Sequence, residues 1–109
     1  MREIPEQQIA AMAPNANAVN NARKIVKSGG FTEHARSEDD TFYMGSCKGS
    51  GSSAYRVTLD FADNDAPVCR CSCPSRQFPC KHGLALMMEL SQGRHWDICD
   101  IPQDILDKR

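Results

Sequence analysis

Residues 69–82 read Cys-Arg-Cys-Ser-Cys-Pro-Ser-Arg-Gln-Phe-Pro-Cys-Lys-His, and this stretch decides the fold of the 109-residue chain. It contains a Cys-x-Cys pair, six intervening residues and then a Cys-x-His pair. Three thiolates and one imidazole are ligands that a closed tetrahedral Zn²⁺ site takes. We therefore expect a metal ion, more than apolar burial, to fix this half of the molecule.

The spacing within each pair predicts where the ligands lie in the secondary structure. Residues i and i+2 of an extended strand project from the same face, so Cys71 and Cys73 can both reach one ion from a strand end. In a regular helix the same spacing gives divergent directions, because about 3.6 residues make one turn. Cys80 must therefore precede a helix whose first turn carries His82. The positive N-terminal end of that helix also favours the Cys80 thiolate.

Cys69 makes the first pair ambiguous, because Cys69 and Cys71 also satisfy the Cys-x-Cys pattern. Pro74 directly follows Cys73 and starts the turn that brings the chain back, which favours the later pair. Four ligands close a tetrahedral shell, so Cys69 is expected to be surplus. The predicted site holds one structural zinc ion on four residues: Cys71, Cys73, Cys80 and His82.

The ligand set also bears on catalysis. A catalytic zinc ion needs an open coordination position and usually a general base nearby. Here protein takes all four positions, and Glu89 lies two turns further along the predicted helix. We therefore expect a protein that is not an enzyme and takes no small-molecule substrate. A third class of function, after nucleic-acid and protein recognition, is a redox-sensing thiol/zinc switch, in which oxidation of the Cys-x-Cys pair releases zinc. Cys47 and Cys99 are expected to be small buried hydrophobic residues.

Length and composition indicate one small domain with a modest core. Hydrophobic residues make up 40% of the chain and aromatic residues 6%, so a metal is expected to add stability. A net charge of −1 argues against a strongly basic nucleic-acid binder. No apolar run is long enough to cross a bilayer, so no membrane partner is expected. The first residues lack the segments of a secretory signal, and we therefore expect a reducing cytoplasm, where clustered cysteines bind metals.

Hydrophobic periodicity and turn residues divide the chain into three parts. Residues 1–13 carry no strong period and are expected to form a poorly ordered lead-in. Residues 14–93 are expected to form the zinc-binding domain, with its metal motif at 69–83. Residues 94–109 form a C-terminal extension that could pack on the domain, with Pro102 in the first turn of a short helix.

Within the domain, two helices are predicted to flank a small sheet. The first covers 16–27, with Asn15 as its N-cap and Gly29-Gly30 as its end, and the second covers 81–92 and ends at Gly93. Strands are predicted at four places: 31–36, 41–47, 55–61 and 66–70. The predicted fold class is α+β, with an N-terminal helix, an antiparallel sheet of three to four strands and a zinc loop leading into a C-terminal helix.

The strand at 55–61 has the clearest alternation in the chain. Its apolar residues are expected to face the core: Tyr55, Val57, Leu59 and Phe61. The intervening Arg56, Thr58 and Asp60 are expected to face water. The Gly- and Ser-rich residues 48–53 before this strand predict a flexible loop, and residues 63–65 after it predict a turn.

The segment from Cys71 to Leu86 resembles bacterial proteins with a SWIM zinc finger, whose pattern is Cys-x-Cys, a variable gap and Cys-x-His. All four ligand positions of that pattern are matched here. The similarity extends more loosely over residues 13–109, through Gly45-x-Cys47-x-Gly49-Ser50-Gly51 and Tyr55-Arg56-Val57. The resemblance implies zinc binding, and an association with DNA binding or protein–protein interaction, including in Mutator-type transposases.

Local charge favours DNA or another nucleic acid as the partner. Between Pro67 and Gly83 there is no acidic residue and there are three basic ones: Arg70, Arg76 and Lys81. Because three thiolates, a neutral imidazole and Zn²⁺ together carry −1, the segment carries about +2. Arg76 and Lys81 near a helix N-terminus could contact phosphates. Alternatively, these cations merely balance the thiolate charge.

The rival function is protein–protein interaction without nucleic-acid binding. Trp96 and Ile98 in the C-terminal extension, together with the zinc-fixed helix, could dock on a protein partner. Trp96 is more often a core residue than an exposed anchor, however. The sequence therefore indicates a zinc-binding recognition module for nucleic acid, with protein interaction as the alternative.

Overall fold

The computed structural model describes residues 2–49, 53–62 and 64–109, and its fold class is α+β, as predicted. Residues 50–52 of the predicted loop and Asp63 of the predicted turn lie outside the described residues. The helices are α1 (Glu6–Met12), α2 (Ala16–Lys27), α3 (Lys81–Glu89) and α4 (Gln103–Leu106). The strands are β1 (Phe31–Arg36), β2 (Phe42–Lys48), β3 (Ala54–Asp60), β4 (Val68–Cys71) and β5 (Asp97–Ile98). No helix among the described residues is long and apolar enough to cross a membrane.

The strands form one mixed sheet in the order β4-β3-β2-β1-β5. Neighbours among β1 to β4 are antiparallel, as expected for successive short strands. β5 adds a parallel pair to β1, in which Ala35 lies opposite Asp97 and Arg36 opposite Ile98. The described sheet thus has one strand more than the predicted three to four. A strand of two residues shows no alternation, so periodicity could not reveal it.

Helix α2 has the predicted bounds, and its local chemistry explains them. The Asn15 side-chain oxygen accepts a hydrogen bond of 2.9 Å from the Ala18 N–H, which satisfies one of the free donors at the helix start. Gly29 follows the helix with a φ of +67°, a conformation that side chains other than glycine rarely adopt. The buried face of α2 carries Val19 and Ala22.

The main core lies between the helices and one face of the sheet. Leu84 and Leu86 of α3 pack there with Val57 and Leu59 of β3. The first 13 residues, expected to be a poorly ordered lead-in, contain α1, whose Ile9 is buried in the same core. A seven-residue helix that buries one side chain gives little periodic signal, which explains why the sequence did not reveal it.

The opposite face of the sheet is covered by the C-terminal extension. Thr58 and Asp60 are 2% and 4% exposed, so the expectation that they face water was wrong. Ile105 of α4 is also buried, and the Arg109 guanidinium donates to Asp60 Oδ1 at 2.9 Å. Arg56 remains exposed, as predicted, and pairs with the carboxylate of Asp104. The extension therefore packs on the domain, and residues 57–60 of β3 are buried on both faces of the sheet.

Candidate metal centre

A strand, a loop and a helix deliver the four predicted ligands. Cys71 is the last residue of β4, where it pairs with Val57 of β3. Cys73 follows two residues later, before a loop that leads to α3. Cys80 is the N-cap residue of α3, and His82 is the second residue of that helix. The strand, loop and helix therefore converge as the spacing predicts.

The four ligand atoms all lie within 4.8 Å of one another. His82 Nδ1 is 3.8 Å from Cys71 Sγ and 3.9 Å from Cys80 Sγ. A tetrahedral zinc ion with Zn–S bonds of about 2.3 Å and Zn–N bonds of about 2.0 Å separates neighbouring ligand atoms by roughly 3.5–3.8 Å. The residues Cys71, Cys73, Cys80 and His82 therefore fit one structural zinc ion.

The surroundings of the cluster restrict solvent access to it. Cys73, Cys80 and His82 are buried, and Cys71 is half-buried. The ring of Tyr55, expected to face the core, lies against the His82 imidazole with its centroid 5.0 Å away. With four protein ligands and this cover, the site has the character of a structural zinc centre.

Within the cluster, the Cys80 sulfur is the one most readily deprotonated. Hydrogen bonds from the Cys69 and Cys71 thiols hold the pKa of Cys80 far below its ordinary value. The same contacts, together with burial, raise the pKa values of Cys69 and Cys71. Zinc binding must therefore displace protons that the clustered thiols otherwise share.

Cys69 stands outside the group of four but touches it. Its sulfur sits where a side chain at position 83 would lie, because a Cβ added to Gly83 would be 2.1 Å from Cys69 Sγ. Gly83 directly follows the ligand His82 in α3. The ligand spacing predicts that Cys69 is surplus, and it gives no sign that Gly83 is part of the site. Only the packing of β4 against α3 reveals why this helix position is a glycine.

Gly83→Ala is therefore expected to destabilise the zinc-loaded protein by about 1–3 kcal/mol, the usual cost of overpacking a close contact. Cys69→Ala should restore most of the loss when combined with it, because the Cys69 Cβ would lie 3.5 Å from the new methyl group, an ordinary contact. Urea unfolding of the two single variants and the double variant measures this coupling. Additive effects of the two substitutions would contradict the proposed contact.

The remaining cysteines lie apart from the metal cluster. Cys47 is buried on β2, and burial raises the pKa of its thiol to about 11. A thiol with this pKa is almost fully protonated at neutral pH and reacts slowly. Cys99 is half-buried, and burial raises the pKa of its thiol as well. Cys47 thus behaves as the small buried hydrophobic residue that was expected.

The structure does not bring the three predicted nucleic-acid contacts together. Arg76 is exposed in the zinc loop, and Lys81 is exposed as the first residue of α3. Arg70 alternates with Cys69 and Cys71 along β4 and so lies on the other face of the sheet. Its Nη1 is 3.6 Å from the buried carboxylate of Asp60. Arg76 and Lys81 therefore lie close to the zinc ligands in the chain, whereas Arg70 lies on the opposite face of the sheet.

Comparison with known proteins identifies the segment. Residues 55–90 match the model of the SWIM zinc finger family. The matched segment runs from β3 through the end of α3 and includes all four ligand residues. The resemblance inferred from the Cys-x-Cys and Cys-x-His pairs is thus confirmed over these residues. No curated protein and no solved structure matches the chain.

Proposed function

We propose that the SWIM zinc finger of this protein presents a recognition surface for DNA or another nucleic acid. The observation that carries the proposal is the unpaired charge of Arg76 and Lys81. Among the described residues neither forms an ion pair, whereas Arg70 and Arg94, for example, each lie beside a buried carboxylate. Exposed, unpaired cations are available for phosphate oxygens, which supply most of the affinity for nucleic acid.

The proposed role is non-enzymatic, and zinc serves to hold the surface in place. The metal ligands Cys80 and His82 flank Lys81 directly, and the zinc loop that carries Arg76 is closed at both ends by ligands. The ion would therefore restrict the positions of both cations. The chain as a whole carries a net charge of −1, so binding is expected to depend on this local surface.

Arg76→Glu combined with Lys81→Glu is expected to weaken binding of a fluorescent oligonucleotide by roughly tenfold or more near 50 mM salt, because two phosphate contacts become repulsive. The slope of log K against log salt should fall in magnitude by about 2. Fluorescence anisotropy of the zinc-loaded protein with single-stranded and duplex DNA and RNA measures both effects.

The control is Lys24→Glu with Lys27→Glu, which makes the same change in net charge at the exposed end of α2. This variant is expected to bind nearly as well as the original protein. Equal affinity of the Arg76/Lys81 variant and the control would contradict the proposed surface.

A protein partner is the second candidate, and exposed apolar residues favour it. Phe78 in the zinc loop is 48% exposed, and Ile98 on the edge strand β5 is 56% exposed. Trp96 is buried in the core, so it does not serve as an exposed anchor. A protein retained in a pull-down after nuclease treatment, through Phe78 or Ile98, would favour this function over nucleic-acid binding.

A further inference from the structure

A groove of about 620 Å³ lies between α2 and the zinc centre. Asn17 and Asn21, one helical turn apart on α2, line one side of it. Ser75 and Gln77 of the zinc loop also line it. The Asn15 side-chain amide donates to Gln77 Oε1 at 3.3 Å and so links the two sides. The zinc ligands Cys73, Cys80 and His82 also line the groove, so a bound zinc ion takes up part of this volume.

Many of the side chains that line the groove are positively charged, polar or aromatic. No acidic side chain lines the groove among the described residues, although the chain contains 14 acidic residues. Lys48 and Lys81 supply positive charge, and the amides of Asn17 and Asn21 offer both donors and acceptors. Tyr55, half-buried against His82, adds an aromatic ring. A second groove, by contrast, has Glu33 and Asp97 in its lining.

These features match the parts of a nucleotide. Ammonium groups attract phosphates, amides can pair with the hydrogen-bonding edges of bases, and an aromatic ring can stack on a base. The concave shape of the groove favours single strands over duplexes. A duplex is read by a protruding helix or β-ribbon that enters its groove, whereas a concave groove can accept unstacked bases.

We propose that the groove between α2 and the zinc loop binds an unstacked segment of single-stranded nucleic acid. This inference rests on the proposed function and assigns it a place and a substrate class. Phosphates contact Lys48 and Lys81, and bases enter between the asparagines of α2 and the zinc loop. Arg76, exposed in the loop outside the groove, extends the charged surface along the strand.

The test places carboxylates in the groove without touching the zinc ligands or any cation. Asn17→Asp with Asn21→Asp is expected to weaken binding of a single-stranded oligonucleotide of about 16 nucleotides by roughly tenfold. The matched control is Ala16→Asp with Asn20→Asp, which has the same spacing and charge on a part of α2 that faces away from the groove. The control should change affinity by less than about threefold. Zinc content and melting temperature are measured for each variant.

The outcomes separate the two proposals. If Arg76→Glu/Lys81→Glu weakens binding but the Asn17/Asn21 variant behaves like its control, the groove proposal is overturned and the proposed function stands. Tighter binding of duplex than of single strands also overturns the groove alone. If the original protein binds no oligonucleotide, both proposals fail. Loss of a protein partner from the Asn17/Asn21 variant, in a pull-down after nuclease treatment, would then assign the groove to protein binding.

Discussion

Cys80→Ala combined with Cys69→Ala is expected to abolish zinc binding and to unfold at least residues 66–90. Structural zinc in small domains contributes on the order of 10–16 kcal/mol, whereas a domain of this size is stable by only about 5–15 kcal/mol in total. The same segment contributes Leu84 and Leu86 to the main core, so its loss also exposes the inner face of the sheet. Elemental analysis of protein purified without chelator measures the zinc, and circular dichroism measures the loss of helix. A strong chelator should have the same effect on the original protein.

The nearby Cys69 determines how this test is made. The Cys69 thiol contacts the Cys80 sulfur, so it could take the place of a missing ligand in a single cysteine variant. The test therefore combines Cys80→Ala with Cys69→Ala, which removes this spare thiol. Cys69→Ala alone is the control and should retain one zinc ion per chain, because the four ligand residues remain. Stoichiometric zinc and unchanged helix content in the double variant would show that the ligand assignment is wrong.

The parts of the fold that the sequence predicted are those with short-range causes. The bounds of α2 follow from one cap residue and one glycine, Asn15 and Gly29. The convergence of Cys71, Cys73 and the Cys80-x-His82 pair follows from the two periodicities of strand and helix. Each of these signals lies within a few residues, so no knowledge of the tertiary structure is needed to read them.

The parts that could not be predicted depend on residues far apart in the chain. Asp60 looks solvent-facing by alternation, but in the fold it pairs with Arg109, 49 positions later, and is buried. The close contact of Gly83 with Cys69 requires β4 to lie against α3. The groove requires α2 and the zinc loop to face each other, which no local pattern indicates. Long-range contacts of this kind are set by the whole core and leave no periodic signal.

Glu89→Ala is expected to lower the free energy of unfolding of the zinc-loaded protein by about 1–3 kcal/mol, the usual cost of leaving a buried polar group without its hydrogen-bond partner. Glu89 is the last residue of α3 and is 1% exposed. Its Oε1 lies 2.5 Å from His34 Nε2 on β1 and 3.2 Å from Arg94 Nε. The substitution leaves His34, which is also largely buried, without its partner. Urea unfolding at saturating zinc measures the change.

The control is Glu33→Ala, beside His34 on the same strand. The Glu33 carboxylate accepts one exposed hydrogen bond from Ser46, so its loss should cost no more than about 1 kcal/mol. Equal effects of the two substitutions would contradict the role of Glu89.

The role of Glu89 in holding α3 is separate from that of the zinc ion. Zinc fixes the first turn of α3 to the end of β4, and Glu89 fixes the last turn to β1. Because the two attachments lie at opposite ends of the helix, Glu89→Ala should lower stability while the protein still binds one zinc ion per chain.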